Sequence, residues 1–217
     1  MSVSPEQQSD APKIASITGF SGESHPSLKQ KLVPQDQLPT LGDFYRGRGL
    51  QIAFTTGTYD MIHIGHGRYL ELAKSLGNIL VVGLNSDASV RTYKGPDRPI
   101  LGEIKRAEML AFLTSIDYIT LYDESTAEEV IRLLKPDRYL CVEGSWPDGS
   151  ELKDKPEVVA MAEHGGEIFL TPRQEPNLST SAIVERLEAA GTYNAVQKLQ
   201  ELLRTEFKSN LDKNGAL

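Results

Sequence analysis

Ile52-Ala-Phe-Thr-Thr-Gly-Thr-Tyr-Asp-Met-Ile-His-Ile-Gly-His66 is the stretch that decides the fold. Its first five residues form a short run of aliphatic, aromatic and β-branched side chains, which reads as a buried strand. Gly57 interrupts that run. From His66 to Leu76 the apolar residues Tyr69, Leu70, Ala73 and Leu76 fall on one side of a helix, and Gly77 stands where a helix ends. A strand, a glycine-bearing loop and a helix make the first unit of a parallel sheet.

The same alternation continues downstream. Residues 79–84 are apolar throughout, as strands covered on both faces are. A long loop is expected over 85–102 and a helix over 103–114. Strands follow at 118–121, 138–142 and 167–170. Ser125 and Glu128 have the spacing of a capping box for a helix ending before Lys135-Pro136. Pro156 suits the first turn of a helix that stops at Gly165-Gly166, and a last helix is expected over 179–190. Five strands alternating with helices predict an α/β fold, a Rossmann-like, doubly wound, five-stranded parallel sheet. Ligands of such sheets bind beyond the carboxyl ends of the strands.

Both ends of the chain read differently. Residues 1–28 are rich in Ser, Gln, Pro and Gly and are expected to form a flexible arm ahead of a domain at 29–190. Pro34 and Pro39 limit helix formation in the mixed segment 31–49. Val196, Leu199, Leu203 and Phe207 are spaced three or four apart, which predicts a C-terminal helical extension within 191–217.

Net charge is -7 over 217 residues, a balance that repels nucleic-acid backbones and leaves anionic substrates to a local positive site. Cys141 is the sole cysteine, so no disulfide or thiolate cluster forms within the chain, and its apolar setting reads as structural burial. No apolar run approaches the length of a membrane span, and no signal-peptide pattern opens the chain. A cytoplasmic protein without nucleic-acid or membrane partners is expected.

The chemistry concentrates where the first strand meets the first helix. His63 and His66 lie three apart with Gly65 between, so both imidazoles can face the helix N-terminus, which already offers unpaired N–H groups and partial positive charge. That cluster suits a triphosphate. Lys94 and Arg98 lie in a Gly/Pro-rich stretch where they can reach phosphates. Ser179 and Thr180 can cap the last helix, whose N–H groups make a second anion site.

His63-Ile-Gly-His66, preceded by Gly57-Thr-Tyr-Asp60, resembles the HxGH signature of the cytidylyltransferase-like nucleotidyltransferases. Asn85-Ser-Asp-Ala-Ser89, Lys94-Gly95 and Arg98-Pro99 resemble, within that family, the enzymes that adenylylate D-glycero-β-D-manno-heptose 1-phosphate. Ser179-Thr-Ser181 is similar to the family's S-T-T motif, and Arg173 to the arginine before it. The resemblance covers residues 31–187. It implies transfer of a nucleoside monophosphate from a nucleoside triphosphate (ATP favoured) to a small phosphorylated acceptor, with release of pyrophosphate.

What the resemblance implies for single residues follows its motifs. His63, His66, Lys94 and Arg98 take catalytic roles. Thr56, Gly57, Thr58, Tyr59, Asp60, Gly65, Asn85, Asp87, Arg106, Arg173, Ser179, Thr180 and Ser181 bind nucleotide. Glu143, Gly144 and Trp146 bind the acceptor. Mg2+ accompanies the triphosphate, no protein metal site is expected, and two copies of the chain pair as a homodimer. Three departures stand out: Tyr59 replaces a phenylalanine, Glu143 replaces a lysine, and Trp146 resembles a tryptophan of glycerol-3-phosphate cytidylyltransferases. A cytidylyltransferase for another small alcohol phosphate is therefore the alternative acceptor reading, and a non-catalytic nucleotide-binding regulator is the alternative class. A class I aminoacyl-tRNA synthetase also carries a HIGH-like motif, but this chain lacks the length for an anticodon-binding domain.

Overall fold

A computed structural model describes residues 25–144, 152–189, 191 and 198. Five parallel strands form its centre: β1 (Ile52–Gly57), β2 (Ile79–Asn85), β3 (Tyr118–Tyr122), β4 (Arg138–Val142) and β5 (Glu167–Thr171), in the spatial order β3-β2-β1-β4-β5. The expected doubly wound sheet is present, with β1 in the middle and its register running from Ile52 opposite Ile79 to Gly57 opposite Leu84.

Alternation along β1 explains why it must be central. Ala53 points into one apolar layer with Leu80, Val82, Leu84, Ile119 and Leu140. Ile52 and Phe54 point into the other, with Val81, Tyr139 and Cys141. Because both faces are covered, every residue from Ile52 to Thr55 is buried, which is why the strand reads as a continuous run instead of an alternating one. The first layer is closed by α1 (Pro26–Lys31), α3 (Ile64–Ser75) and α5 (Glu103–Ala111); the second by α2 (Leu38–Arg46), α6 (Glu128–Leu134) and α7 (Pro156–Ala162).

Four expectations are corrected. The folded body reaches back to His25, because α1 places Leu28 in the core at 2% exposure; Leu32 and Val33 then pair with Ile119 and cover the β3 edge. Pro39 opens α2 instead of limiting it, since proline's missing N–H costs nothing in a first turn. The stretch 85–102 is not all loop: Ser86 caps α4 (Asp87–Lys94) by accepting the Ser89 N–H, and Gly95, at φ 93°, ends it. Ser125 does not cap α6. That helix starts after Ala127, whose N–H donates to the Glu157 carboxylate of α7.

The last described helix, α8 (Thr180–Ala189), begins as expected, with the Ser179 hydroxyl accepting the Ala182 N–H. Apart from Lys198, the amphipathic segment 192–207 and the residues 1–24 lie outside the described residues, as does Trp146. Among the described residues no helix is long and apolar enough to cross a membrane.

Candidate active site

The loop from Gly57 to His63 runs over the carboxyl edge of the sheet, and its shape is held by Asp60. Tyr59 and Met61 both adopt left-handed backbone (φ 48° and 49°) on either side of it. Such positions persist only where surrounding bonds over-determine them. Asp60 supplies those bonds: it is 4% exposed, and its carboxylate accepts the N–H groups of Ile100 (2.8 Å) and Leu101 (3.1 Å) and faces Arg98 at 3.6 Å. Its carbonyl accepts the Thr180 hydroxyl at the start of α8. One residue therefore ties together the β1–α3, α4–α5 and β5–α8 connections.

His63 is the N-cap of α3. Its Nδ1 accepts the Gly65 N–H at 3.2 Å, and His66 Nδ1 accepts the His63 N–H at 3.4 Å, a reciprocal capping box built from two imidazoles. The rings stack at 4.0 Å between centroids, with Tyr59 edge-on to His66 at 5.4 Å. Because both Nδ1 atoms accept, each neutral ring carries its proton on Nε2. The site thus presents two Nε2–H donors beside the helix terminus.

The electrostatics keep them neutral. Burial, then the neighbouring His63 and the Lys94 ammonium, lower the His66 pKa to about 4 against the pull of Asp60. Burial also lowers His63, opposed by Glu175. Lys94 is lowered by its enclosure and by the Arg98, Arg106 and Arg173 cations, with Asp60 acting in the other direction. The Lys94 ammonium is therefore held beside other cations, a setting that suits an anion.

A stability consequence follows for His66. Between pH 6.5 and about 4 the unfolded imidazole binds a proton and the folded one does not, so stability present at pH 7 is lost on acidification through that window. The expected loss is on the order of 2 kcal/mol. Urea midpoints measured at pH 6.5 and 5.0 should differ more for the wild type than for His66→Gln; equal slopes would remove the imidazole as the cause.

The residues expected to act in catalysis or to bind nucleotide divide into two groups. Asp60, Gly65, His63, His66, Lys94, Arg98, Ser179 and Thr180 come together around the α3 and α8 termini, with the charge of Arg173 acting on Lys94. Ser181 is exposed on the first turn of α8. The others form the frame beneath. Arg106, expected to meet ligand, is fully buried and spends four N–H bonds on the Leu101, Thr58 and Asn85 carbonyls and the Asp87 carboxylate. Thr56 meets the Tyr139 hydroxyl, and the Asn85 amide donates to Ser89. Within the first group the Thr180 hydroxyl is taken up by the Asp60 carbonyl. Glu143 and Gly144 lie exposed past β4, where the Glu143 N–H extends the ladder to Thr171.

Glu175 was not among the expected site residues. It pairs with Arg68 of α3 at 2.9 Å and lies over Gly65, where an added Cβ would come within 3.1 Å of it. A larger residue at Gly65 would press on the His63 ring as well as on Glu175, so the β5–α8 loop crosses the helix terminus in close contact there. The signal was present in Thr171-Pro-Arg-Gln-Glu175, the segment that resembles the family's arginine-containing pattern. Among the described residues no three His, Cys, Asp or Glu side chains gather as a metal site, and the Asp60 carboxylate is already occupied by N–H donors. The donor set of imidazole, ammonium and guanidinium groups suits phosphate oxygens.

A family model described as cytidylyltransferase-like matches residues 54–186. The chain belongs to the cytidylyltransferase-like family. It is a nucleotidyltransferase. The Bifunctional protein HldE of Geobacter metallireducens is 38% identical over 178 residues, 82% of this chain and 35% of that protein. The protein of the same name from Wolinella succinogenes is 38% identical over 188 residues, 82% of this chain and 37% of its own length. The chain therefore spans about a third of the length of these curated relatives. A lipopolysaccharide core biosynthesis protein from Thermoplasma volcanium, known from a crystal structure, is 26% identical with a TM-score of 0.47, covering 58% of this chain and 97% of that one.

Proposed function

We propose that the enzyme transfers a nucleoside monophosphate from a nucleoside triphosphate, ATP favoured, to a sugar phosphate such as D-glycero-D-manno-heptose 1-phosphate, releasing pyrophosphate. The observation that carries this is the meeting of two Nε2–H imidazoles with the N-termini of α3 and α8 and the Lys94, Arg98 and Arg173 cations. The likeness to HldE proteins over four-fifths of the chain supports the heptose acceptor, as do the Asn85–Ser89 and Lys94–Pro99 motifs.

No protein nucleophile is needed. The acceptor phosphate is already anionic, and one of its oxygens bonds to the α-phosphorus while the bond from that phosphorus to the α,β-bridging oxygen breaks. The electron pair leaves with pyrophosphate. His63 and His66 donate to the oxygens on which charge builds, and Lys94 and Arg98 draw the acceptor phosphate in line. Magnesium enters as part of the triphosphate substrate. Ser179 and the α8 N–H groups hold the β- and γ-phosphates. Glu143, Gly144 and Trp146 are assigned to the acceptor side. Pairing of two copies and a cytoplasmic location belong to the same reading.

The test is pyrophosphate release with ATP, CTP, GTP and UTP crossed against heptose 1-phosphate, glycerol 3-phosphate, phosphoethanolamine and phosphocholine. Turnover confined to ATP with the heptose phosphate is expected. Turnover confined to CTP with glycerol 3-phosphate would replace this acceptor and nucleotide by the alternative pair.

A further inference from the structure

Tyr93 lies next to Lys94 in the last turn of α4, and the residue is 52% exposed. An exposed aromatic ring on a helix is ordinarily free to swing. This one is not: its hydroxyl meets Thr58 Oγ1 at 2.7 Å and donates to Asn85 Oδ1 at 3.4 Å. Thr58 belongs to the signature loop and Asn85 ends β2, so both anchors lie at the carboxyl edge of the sheet. The outcome is a flat apolar surface pinned at its polar end and left open.

Its neighbours define what it faces. Lys94 Nζ lies 5.7 Å from the ring centroid, and the same ammonium senses Asp60, Arg98 and Arg173. The ring thus borders the cationic cleft from the β2 side of β1, whereas α8 and Arg173 approach it from β5, beyond β4. With the triphosphate at the α3 and α8 termini, the space over Tyr93 is left to the other substrate.

We propose that Tyr93 is the platform on which the ring of the acceptor sugar phosphate packs, with the acceptor's phosphate held by Lys94 and Arg98. A pyranose has a face of C–H groups that fits an aromatic ring; an acyclic alcohol phosphate has none. Tyr93 is then a specificity-determining residue, and the inference rests on the sugar-phosphate reading above.

Steady-state kinetics with a sugar 1-phosphate test it. Tyr93→Leu should raise the acceptor KM about tenfold, with the triphosphate KM changed less than about twofold, the size expected for loss of one aromatic packing contact. Tyr93→Phe, which keeps the ring, should stay within about threefold of wild type. An unchanged acceptor KM in Tyr93→Leu, or a fall in kcat alone, would overturn the platform while leaving the enzyme's reaction intact. Wild-type protein that turned over no sugar 1-phosphate would instead overturn the acceptor assignment, and the platform with it. A second measurement needs no variant: saturation transfer from the enzyme's aromatic protons should reach the C–H groups on one face of the bound sugar, and its absence overturns the inference.

Discussion

His66→Ala is expected to lower kcat by about 10² to 10³ at saturating substrates, the loss typical for removing one donor aimed at developing charge. His66 Nδ1 accepts the His63 N–H, which forces the neutral ring's proton onto Nε2, and burial beside Lys94 and His63 keeps the ring neutral by lowering its pKa to about 4. The donor is therefore in place throughout the physiological range and needs no reorganisation when charge moves onto the leaving group. Half of the capping box is lost as well, which costs about 1 kcal/mol of stability. Turnover must accordingly be referred to folded protein. A variant within about threefold of the wild-type kcat would remove His66 from transition-state stabilisation.

Arg106→Met is expected to have the largest effect on stability. Arg106 is fully buried, and its guanidinium closes the Thr58, Asn85 and Leu101 carbonyls together with the Asp87 carboxylate, which is itself only 24% exposed. Methionine fills similar space but leaves all of these acceptors without their donor. Breaking one side of a buried, hydrogen-bonded ion pair costs about 3–5 kcal/mol, a fall in Tm of about 10 °C for a chain of this size. Thermal unfolding followed by circular dichroism reads it directly. A Tm within about 2 °C of wild type would show that water replaces the guanidinium and that the frame is not built on it.

These two residues also mark where sequence reading succeeds and where it stops. His63 and His66 were legible because strand, glycines and helix are contiguous, so local spacing alone places both rings at one helix terminus. The five strands were legible for a similar reason: two-sided burial writes itself into apolar runs such as residues 79–84. Arg106 was not, because its partners come from three separate segments and a basic residue early in a helix is equally consistent with a ligand contact. The helix α4 escaped notice because its buried residues amount to Ser89 and Val90, too few to show a period, between a strand and a Gly/Pro-rich stretch. Asp60 was expected to bind nucleotide, and only the arrival of Ile100, Leu101 and Thr180 from distant segments shows how it holds the loop. Glu175 lies two residues past Arg173, but its place over Gly65 depends on how the β5–α8 loop crosses α3.

The reaction itself is tested most directly by 31P NMR of the enzyme with ATP, magnesium and a sugar 1-phosphate carrying 18O in its phosphate. The expected products are a nucleotidyl sugar that retains all of the label on the sugar-bound phosphorus and its bridging oxygen, and unlabelled pyrophosphate, in equal amounts. Formation of ADP with a second phosphate on the sugar, or of pyrophosphate at the same rate without acceptor, would contradict attack of the acceptor phosphate on the α-phosphorus.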